Sequence, residues 1–249
     1  MKMIHAPALA KWLTSLALVA VATAISYIWL DRGIAYFAHD ELRQFAVFPH
    51  LTRISEGFAT VAVAAIAIVG LRALSGRPLS KLHSVTLLSG LSLLVATAAK
   101  NQLKFVFGRT WPETWIHNNP SLIHDGVYGF NPFHGGAGFS SFPSGHTAAV
   151  CAVMSVLWIC YPQWRALYAL CVAAVVAGLI GADYHFLSDI IAGGFVGAST
   201  GWMAVALWEA VGAPSVSAAT ERRGPASDPA FDQPTHLTAA EPRPVKLPV

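Results

Sequence analysis

The sequence predicts an all-α, polytopic membrane protein built as a bundle of six transmembrane helices. Of its 249 residues, 55% are hydrophobic and only 12% are charged. A soluble protein of this length has too little interior to bury so much apolar surface. Several apolar runs also approach the roughly 20 residues that cross the hydrocarbon core of a bilayer. The composition and the run lengths together exclude an ordinary soluble domain.

The six predicted spans cover residues 9–30, 57–74, 83–106, 146–161, 166–183 and 187–210. We interpret the first as an uncleaved helix rather than a signal peptide, because its apolar residues continue through Leu30 and further spans follow. The stretch 34–48 mixes aromatic and charged residues, which fits an interfacial helix and an ordered loop equally well. Residues 1–212 form the predicted membrane domain. Residues 213–249, rich in Pro, Ala and Ser, are predicted to be a disordered cytoplasmic tail.

Basic residues between the spans predict the orientation. They fall before the first span, between the second and third, and between the fourth and fifth: Lys2, Lys11, Arg72, Arg77, Lys81 and Arg165. With six spans these places share one side of the membrane, which the positive-inside rule makes cytoplasmic. The loop 107–145 then faces the opposite side of the membrane, and both termini are cytoplasmic. A net charge of +3 without a basic cluster gives no reason to expect nucleic-acid binding.

Glycines recur at every fourth position of the last span, at Gly193, Gly197 and Gly201. Such a ridge of small residues lets a neighbouring helix approach closely. The sequence favours packing within one chain over dimerisation, and the oligomeric state stays open.

Ionisable residues from distant segments meet at the predicted non-cytoplasmic face. Lys104 and Arg109 end the third span, His146 opens the fourth, and His185 and Asp189 lie between the fifth and sixth. Ionisable groups at membrane depth are costly, so a shared functional site is the default interpretation.

This set of residues suits phosphoryl transfer. Ser144 and Gly145 start a helix whose free N–H groups attract anions, and Lys104 and Arg109 add positive charge. His185 and Asp189 are spaced i, i+4, so the carboxylate can orient one ring nitrogen and activate the other. His146 is left as a second imidazole to protonate a leaving oxygen. A metal site built from the two histidines and Asp189 is disfavoured, because the two cations would repel the ion.

At this point the chain resembles the type 2 phosphatidic acid phosphatase family, membrane relatives of the vanadium haloperoxidases. The family carries the motifs Lys-x6-Arg-Pro, Pro-Ser-Gly-His and Ser-Arg-x5-His-x3-Asp. The second stands intact as Pro143-Ser144-Gly145-His146 and the end of the third as His185-Phe186-Leu187-Ser188-Asp189, while the first reads Lys104-FVFGRT-Trp111-Pro112. The order, the spacing and the six spans match over about residues 9–210.

The resemblance implies a role for each of these residues. His185 is the expected nucleophile, Asp189 its orienting partner and His146 the general acid. Lys104, Ser144 and the Gly145 N–H are expected to hold phosphate, with no metal or other cofactor. Bacterial members commonly act on lipid phosphates or diphosphates from the periplasmic side, which agrees with the orientation given above.

Two expected arginines are missing. Trp111 stands at the motif-one arginine, and Gly178-Leu179 stands at the motif-three Ser-Arg pair. We expect Arg109 to swing into the gap and bind phosphate, with Lys100 as a weaker candidate. Trp111 is otherwise expected to stack at the membrane interface. Asp183, close to the phosphate, either contacts a substrate hydroxyl or is a solvated loop charge, and the sequence favours the solvated charge.

The predicted function is a membrane phosphatase that hydrolyses a lipid phosphomonoester or diphosphate through a phosphohistidine. A lipid-to-lipid phosphotransferase and a catalytically degenerate phospholipid-binding member remain as alternatives. A transporter is disfavoured, because the spans show no inverted repeat or polar midplane residues. The loop 113–142 either reads a head group or has a structural role. The lipid itself is left open by the sequence.

Overall fold

The computed structural model describes residues 6–115, 118–213 and 216. Within them the protein is helical, with isolated β-bridges and no strand, so the all-α prediction is confirmed for this part of the chain. Nearly all of the predicted tail, 213–249, lies outside the described residues. The helices are α1 (Ala6–Ile25), α2 (Asp31–Phe37), α3 (Val47–Thr52), α4 (Gly57–Leu74), α5 (Lys81–Phe107), α6 (Leu122–Asp125), α7 (Gly145–Cys160), α8 (Arg165–Gly181) and α9 (Leu187–Ala210).

Five helical stretches of the described chain are long and apolar enough to cross a membrane. They are Ala8–Leu42, Val47–Leu74, Lys81–Phe107, Pro162–Gly181 and Leu187–Ala210. The fourth predicted span forms α7, whose 16 residues are fewer than those of the other five. At 1.5 Å per residue it is about 24 Å long, against a hydrocarbon core of about 30 Å. Every predicted span is therefore helical, but the count of six crossings is not confirmed.

The first helix is longer than predicted. It continues from α1 through the π-helical segment Ser26–Leu30, α2 and a second π-helical segment, Ala38–Leu42. The resulting stretch Ala8–Leu42 has 35 residues. Of the two interpretations of stretch 34–48, the helical one agrees with the structure, which has helix on both sides of a short turn at 43–46.

The ends of α5, α7 and α9 follow ordinary capping chemistry. Ser80 caps α5, where its Oγ accepts the N–H of His83, and Gly108 ends that helix at φ 57°. Ser144 caps α7, where its Oγ accepts the N–H of Thr147. At the start of α9 the Asp189 carboxylate accepts the backbone N–H of Phe186, 3.1 Å away. These caps fix where the chain leaves each helix, and all of these ends except the start of α5 border the candidate site.

Helix α7 packs against α5, α8 and α9. The glycine ridge of α9 faces it: a Cβ added to Gly197 would lie 2.2 Å from the Ala148 carbonyl oxygen, and one at Gly193 would lie 2.4 Å from that of Ser144. Real Cβ atoms do not approach this closely, so the two backbones touch only because the side chains are absent. The prediction that the ridge serves packing within the chain is confirmed.

We expect Gly197→Ala to destabilise the protein by about 1–3 kcal/mol, because the added methyl group must push α7 and α9 apart. The measurement is the thermal unfolding midpoint of the detergent-solubilised protein. Gly70→Ala in α4 is the matched control, since nothing lies within 4 Å of the Cβ it would add. An equal effect of the two substitutions would contradict the close contact of α7 with α9.

Candidate active site

Residues from four parts of the chain line one cavity of about 560 Å³. Lys104 comes from the end of α5, Trp111 from the following loop, His146 from the start of α7 and His185 from the turn between α8 and α9. The cavity also includes Gly145 at the start of α7. The convergence predicted from the sequence is therefore present for these lysine, glycine and histidine positions.

His185 and Asp189 form the predicted pair. The His185 Nδ1 lies 3.3 Å from Asp189 Oδ2, which leaves the Nε2 side of the ring as the one turned away from the carboxylate. The ring of His146 lies across from it, with the two ring centroids 6.3 Å apart. Burial lowers the pKa of His185 below its usual value, against the opposing effect of the hydrogen bond that its Nδ1 donates to Asp189. A neutral imidazole with one nitrogen held by a carboxylate is suited to nucleophilic attack.

Asp189 does not line the cavity but is held behind His185. Its Oδ2 accepts hydrogen bonds from the hydroxyl of Ser141, at 2.6 Å, and from the backbone N–H of Phe186. Its Oδ1 accepts one from the guanidinium of Arg109. The residue is completely buried. Four partners on a buried carboxylate fix both its charge and its orientation, and thereby the ring of His185.

Arg109 takes a different position from the one that the sequence predicts. Its guanidinium is fully buried and binds Asp189 on one side and Asp31 on the other. The distance from Arg109 NH2 to Asp31 Oδ2 is 2.8 Å. Ser188 completes the group, donating its hydroxyl to Asp31 and accepting from Arg109. Two opposite charges raise the pKa of Arg109 despite its burial. The side chain thus points behind the Asp189 carboxylate and not into the cavity.

Asp31 is the residue that sequence reasoning missed. No role is predicted for it from the sequence, although it is the first acid after a long apolar run. In the structure it is fully buried, and its Oδ1 accepts the backbone N–H of Ser188 at 3.0 Å. A lone carboxylate at the end of an apolar helix was the available signal, because such a charge needs a partner.

The positive charge of the cavity comes from two lysines one helical turn apart. Lys104 Nζ donates to the Ser140 carbonyl at 2.6 Å, and Lys100 lies against Gly145, about 3.3 Å from the position of an added Cβ. Both side chains line the cavity. Ser144 is fully buried, and its hydroxyl accepts from Thr147, so it caps α7 instead of lining the cavity. Lys100, the weaker candidate from the sequence, lies closer to the predicted anion pocket than Arg109 does.

Apolar contacts occupy the two positions where arginines were expected. The indole of Trp111 packs beside His185 with ring centroids 5.1 Å apart, and its Nε1 donates to the Ala137 carbonyl at 2.8 Å. Leu179 is fully buried among Val150, Val175 and Ile190. Neither of these two positions therefore supplies a guanidinium to an anion in the cavity.

Asp183 is buried, with 2% of its surface exposed, so the expectation of a solvated loop charge is wrong. Burial and, to a smaller extent, the nearby Glu113 raise the pKa of Asp183 to about 7, against the opposing effect of Arg43. His39, Glu113 and Asp183 place ligand-type atoms within 4.8 Å of one another. Of the described residues, these three form a group that could hold a metal ion, and they are not the histidines of the cavity.

The rest of the cavity wall is mainly apolar. Ala59 of α4, Leu93 and Thr97 of α5 and Ala149 of α7 line it, with the carboxylate of Glu56 at one edge. A pocket that joins two lysines and two histidines to an aliphatic wall suits a ligand with a phosphate head and an apolar body.

Comparison with known proteins agrees with this geometry. The chain is 34% identical over 94 residues to a lipid A 1-phosphatase of Rhizobium etli. The aligned segment covers 37% of each of the two chains. It is 33% identical over 94 residues to the lipid A 1-phosphatase of Rhizobium johnstonii, covering 37% of this chain and 35% of that one. The chain thus matches little more than a third of the length of either relative. No solved structure matches it significantly. A family profile, described as the PAP2 superfamily, matches residues 85–212, just over half of the chain, and the chain therefore belongs to the PAP2 superfamily.

Proposed function

We propose that the protein is a membrane phosphatase that removes a phosphate from a lipid phosphomonoester or diphosphate through a phosphohistidine intermediate. The observation that carries the proposal is the opposition of His185 and His146 across one cavity, with Asp189 behind the first. Membership of the superfamily and two relatives named lipid A 1-phosphatase support the same chemistry. A phosphorylated glycolipid of the lipid A type is accordingly the first substrate to test.

In the proposed reaction His185 Nε2 attacks phosphorus while the bond from phosphorus to the lipid oxygen breaks. His146 donates its proton to the leaving lipid oxygen. A water molecule then attacks phosphorus while the bond from phosphorus to His185 Nε2 breaks, His146 takes one proton of that water, and inorganic phosphate leaves with His185 restored. Lys100, Lys104 and the N–H groups at the start of α7 stabilise the negative charge on the phosphoryl oxygens.

The proposed orientation puts this reaction on the periplasmic side of a bacterial inner membrane, with both termini cytoplasmic. Lys104 and His146 are at one end of α5 and α7, whereas Lys81 and Arg165 stand at or just beyond the opposite ends. The positive-inside rule assigns that opposite side to the cytoplasm.

Replacing the nucleophile tests the proposed activity directly. We expect His185→Ala to lower phosphate release from a lipid phosphate panel by at least about 10³-fold, since a covalent step cannot proceed without it. Wild-type protein quenched in base with ³²P-labelled substrate should carry an acid-labile, base-stable label that the variant lacks. His124→Ala is the control, because that side chain is 66% exposed.

Equal activity of His185→Ala and the wild type on every lipid would contradict the enzyme. Label recovered on a second lipid, with none as free phosphate, would identify a lipid-to-lipid phosphotransferase. Phospholipid binding without turnover by the wild type would identify a degenerate member.

Separate binding and rate measurements distinguish a positioning role of Arg109 from phosphate binding. The double variant Arg109→Ala with Asp31→Asn removes one charge of each sign and so leaves the net charge of the buried group unchanged. We expect kcat to fall about 10–100-fold, as for other lost orienting partners, while inhibition by inorganic phosphate stays within about twofold of wild type. Lys104→Ala should instead weaken phosphate inhibition about 10–100-fold, because a charged donor is lost. Weakened phosphate inhibition in the double variant would make Arg109 a phosphate ligand.

The pH dependence of kcat/KM reports the titration of His185 in the free enzyme. Since burial holds the pKa of His185 below 6.5, the acid limb assigned to this group should lie below that pH. The hydrogen bond that His185 donates to the Asp189 carboxylate raises this pKa, so Asp189→Asn should move the limb to lower pH as well as reduce the rate. Comparing both proteins on one substrate cancels the ionisation of the substrate. A limb that moves to higher pH would contradict the assignment.

A further inference from the structure

His39, Glu113 and Asp183 meet beside the active site although they come from three parts of the chain. His39 lies in the π-helical segment after α2, Glu113 in the loop after α5, and Asp183 in the turn after α8. His39 Nδ1 is 3.1 Å from Glu113 Oε2 and 3.6 Å from Asp183 Oδ2. Neither carboxylate has a role in the proposed reaction, and both are buried.

The Asp183 carboxylate is incompletely satisfied. Its side chain is 1% exposed, and no hydrogen-bond donor in the described part of the chain reaches its Oδ2. His39 Nδ1 lies 3.6 Å from this oxygen, which is too far for a hydrogen bond. A buried carboxylate oxygen without a donor is costly, and here it is aimed at an imidazole nitrogen and a second carboxylate.

We propose that His39, Glu113 and Asp183 bind a divalent transition-metal ion of the zinc type. One imidazole and two carboxylates are a ligand set that suits zinc, with an open position for water. For bonds of about 2.05 Å, the edge of a tetrahedron is about 3.3 Å, close to the two ligand distances from His39. This site is separate from the proposed catalytic histidines and does not depend on the proposed activity.

The net charge of the cluster favours a bound cation. Glu113 and Asp183 are acidic and Arg43 is the one cation in contact with Glu113 among the described residues, at 2.5 Å. With His39 neutral and both carboxyl groups ionised, as ligation of a metal requires, the four side chains carry one net negative charge. Arg43 NH1 also lies 3.3 Å from His39 Nδ1, so it competes for the ligand atoms. Because its side chain is 38% exposed and lies over the Trp115 ring, it can turn outward when a metal enters.

The site would brace the turn that carries His185. Asp183 has φ 58°, in the left-handed region that Asp tolerates better than most residues, and it precedes His185 by two positions. Tyr184 packs edge-on against Trp115, with centroids 4.5 Å apart. A metal ion would therefore join the first helix, the loop after α5 and this turn by three direct bonds.

The test is zinc uptake by the full-length, chelator-treated protein in detergent, measured by equilibrium dialysis against zinc chloride. We expect one equivalent per chain and a rise in the unfolding midpoint on zinc addition. His39→Ala and Asp183→Asn should each weaken uptake at least about tenfold, since loss of even an outer-shell partner has such an effect. Asn suits the φ of position 183 and removes only the charge, which keeps the folded state accessible.

The Arg43→Ala variant distinguishes a metal site from a purely structural ion pair. Removal of the competing cation should strengthen zinc binding, whereas a purely structural ion pair would predict only a less stable protein. His124→Ala, at an exposed histidine beside Asp125, is the matched control and should leave uptake unchanged. No uptake by the wild type, equal uptake by all variants, or uptake abolished by His146→Ala but not by His39→Ala would overturn the proposal.

Discussion

The fully buried guanidinium of Arg109, held between Asp31 and Asp189, is the interaction on which the candidate site depends. Three charges without solvent are stable only as a group, and removing one member of such a buried set typically costs about 3–5 kcal/mol. The hydroxyl groups of Ser141 and Ser188 and backbone N–H groups satisfy the remaining lone pairs. The orientation of His185 follows, because Asp189 is fixed on one side by this group and contacts the imidazole on the other.

This charge group also joins three separate parts of the chain. Asp31 ends the long apolar part of the first helix, Arg109 follows α5, and Asp189 begins α9. The family profile covers residues 85–212 and so leaves Asp31 outside. The first helix is therefore more than a membrane anchor here, since it supplies the second carboxylate of a buried pair. The hydroxyl of Tyr128 lies 3.2 Å from both Arg109 and Asp31, so the loop that follows α6 is also joined to this group.

Local patterns in the sequence were sufficient for the helices and for the mouth of the site. Apolar run length predicted each span region, and the Pro-Ser-Gly-His stretch marked the start of α7, because capping depends only on neighbouring residues. Arg109, Asp31 and Asp183 could not be placed in the same way. Arg109 is 78 positions from Asp31 and 80 from Asp189, and Asp183 is 70 positions from Glu113. Their burial and pairing therefore depend on how the helices pack. The sequence showed that charges had to meet at this face, but not which charge would meet which.

The 35-residue length of the first helical stretch has a consequence for the lipid surroundings of the site. At 1.5 Å per residue, Asp31 lies about 35 Å along the helix from Ala8, just beyond a hydrocarbon core of about 30 Å. A helix of this length adapts to bilayer thickness by changing its tilt. A change of tilt that displaced Asp31 relative to α9 would act on the salt bridges that fix Asp189. Bilayer thickness would then be coupled mechanically to the carboxylate behind His185.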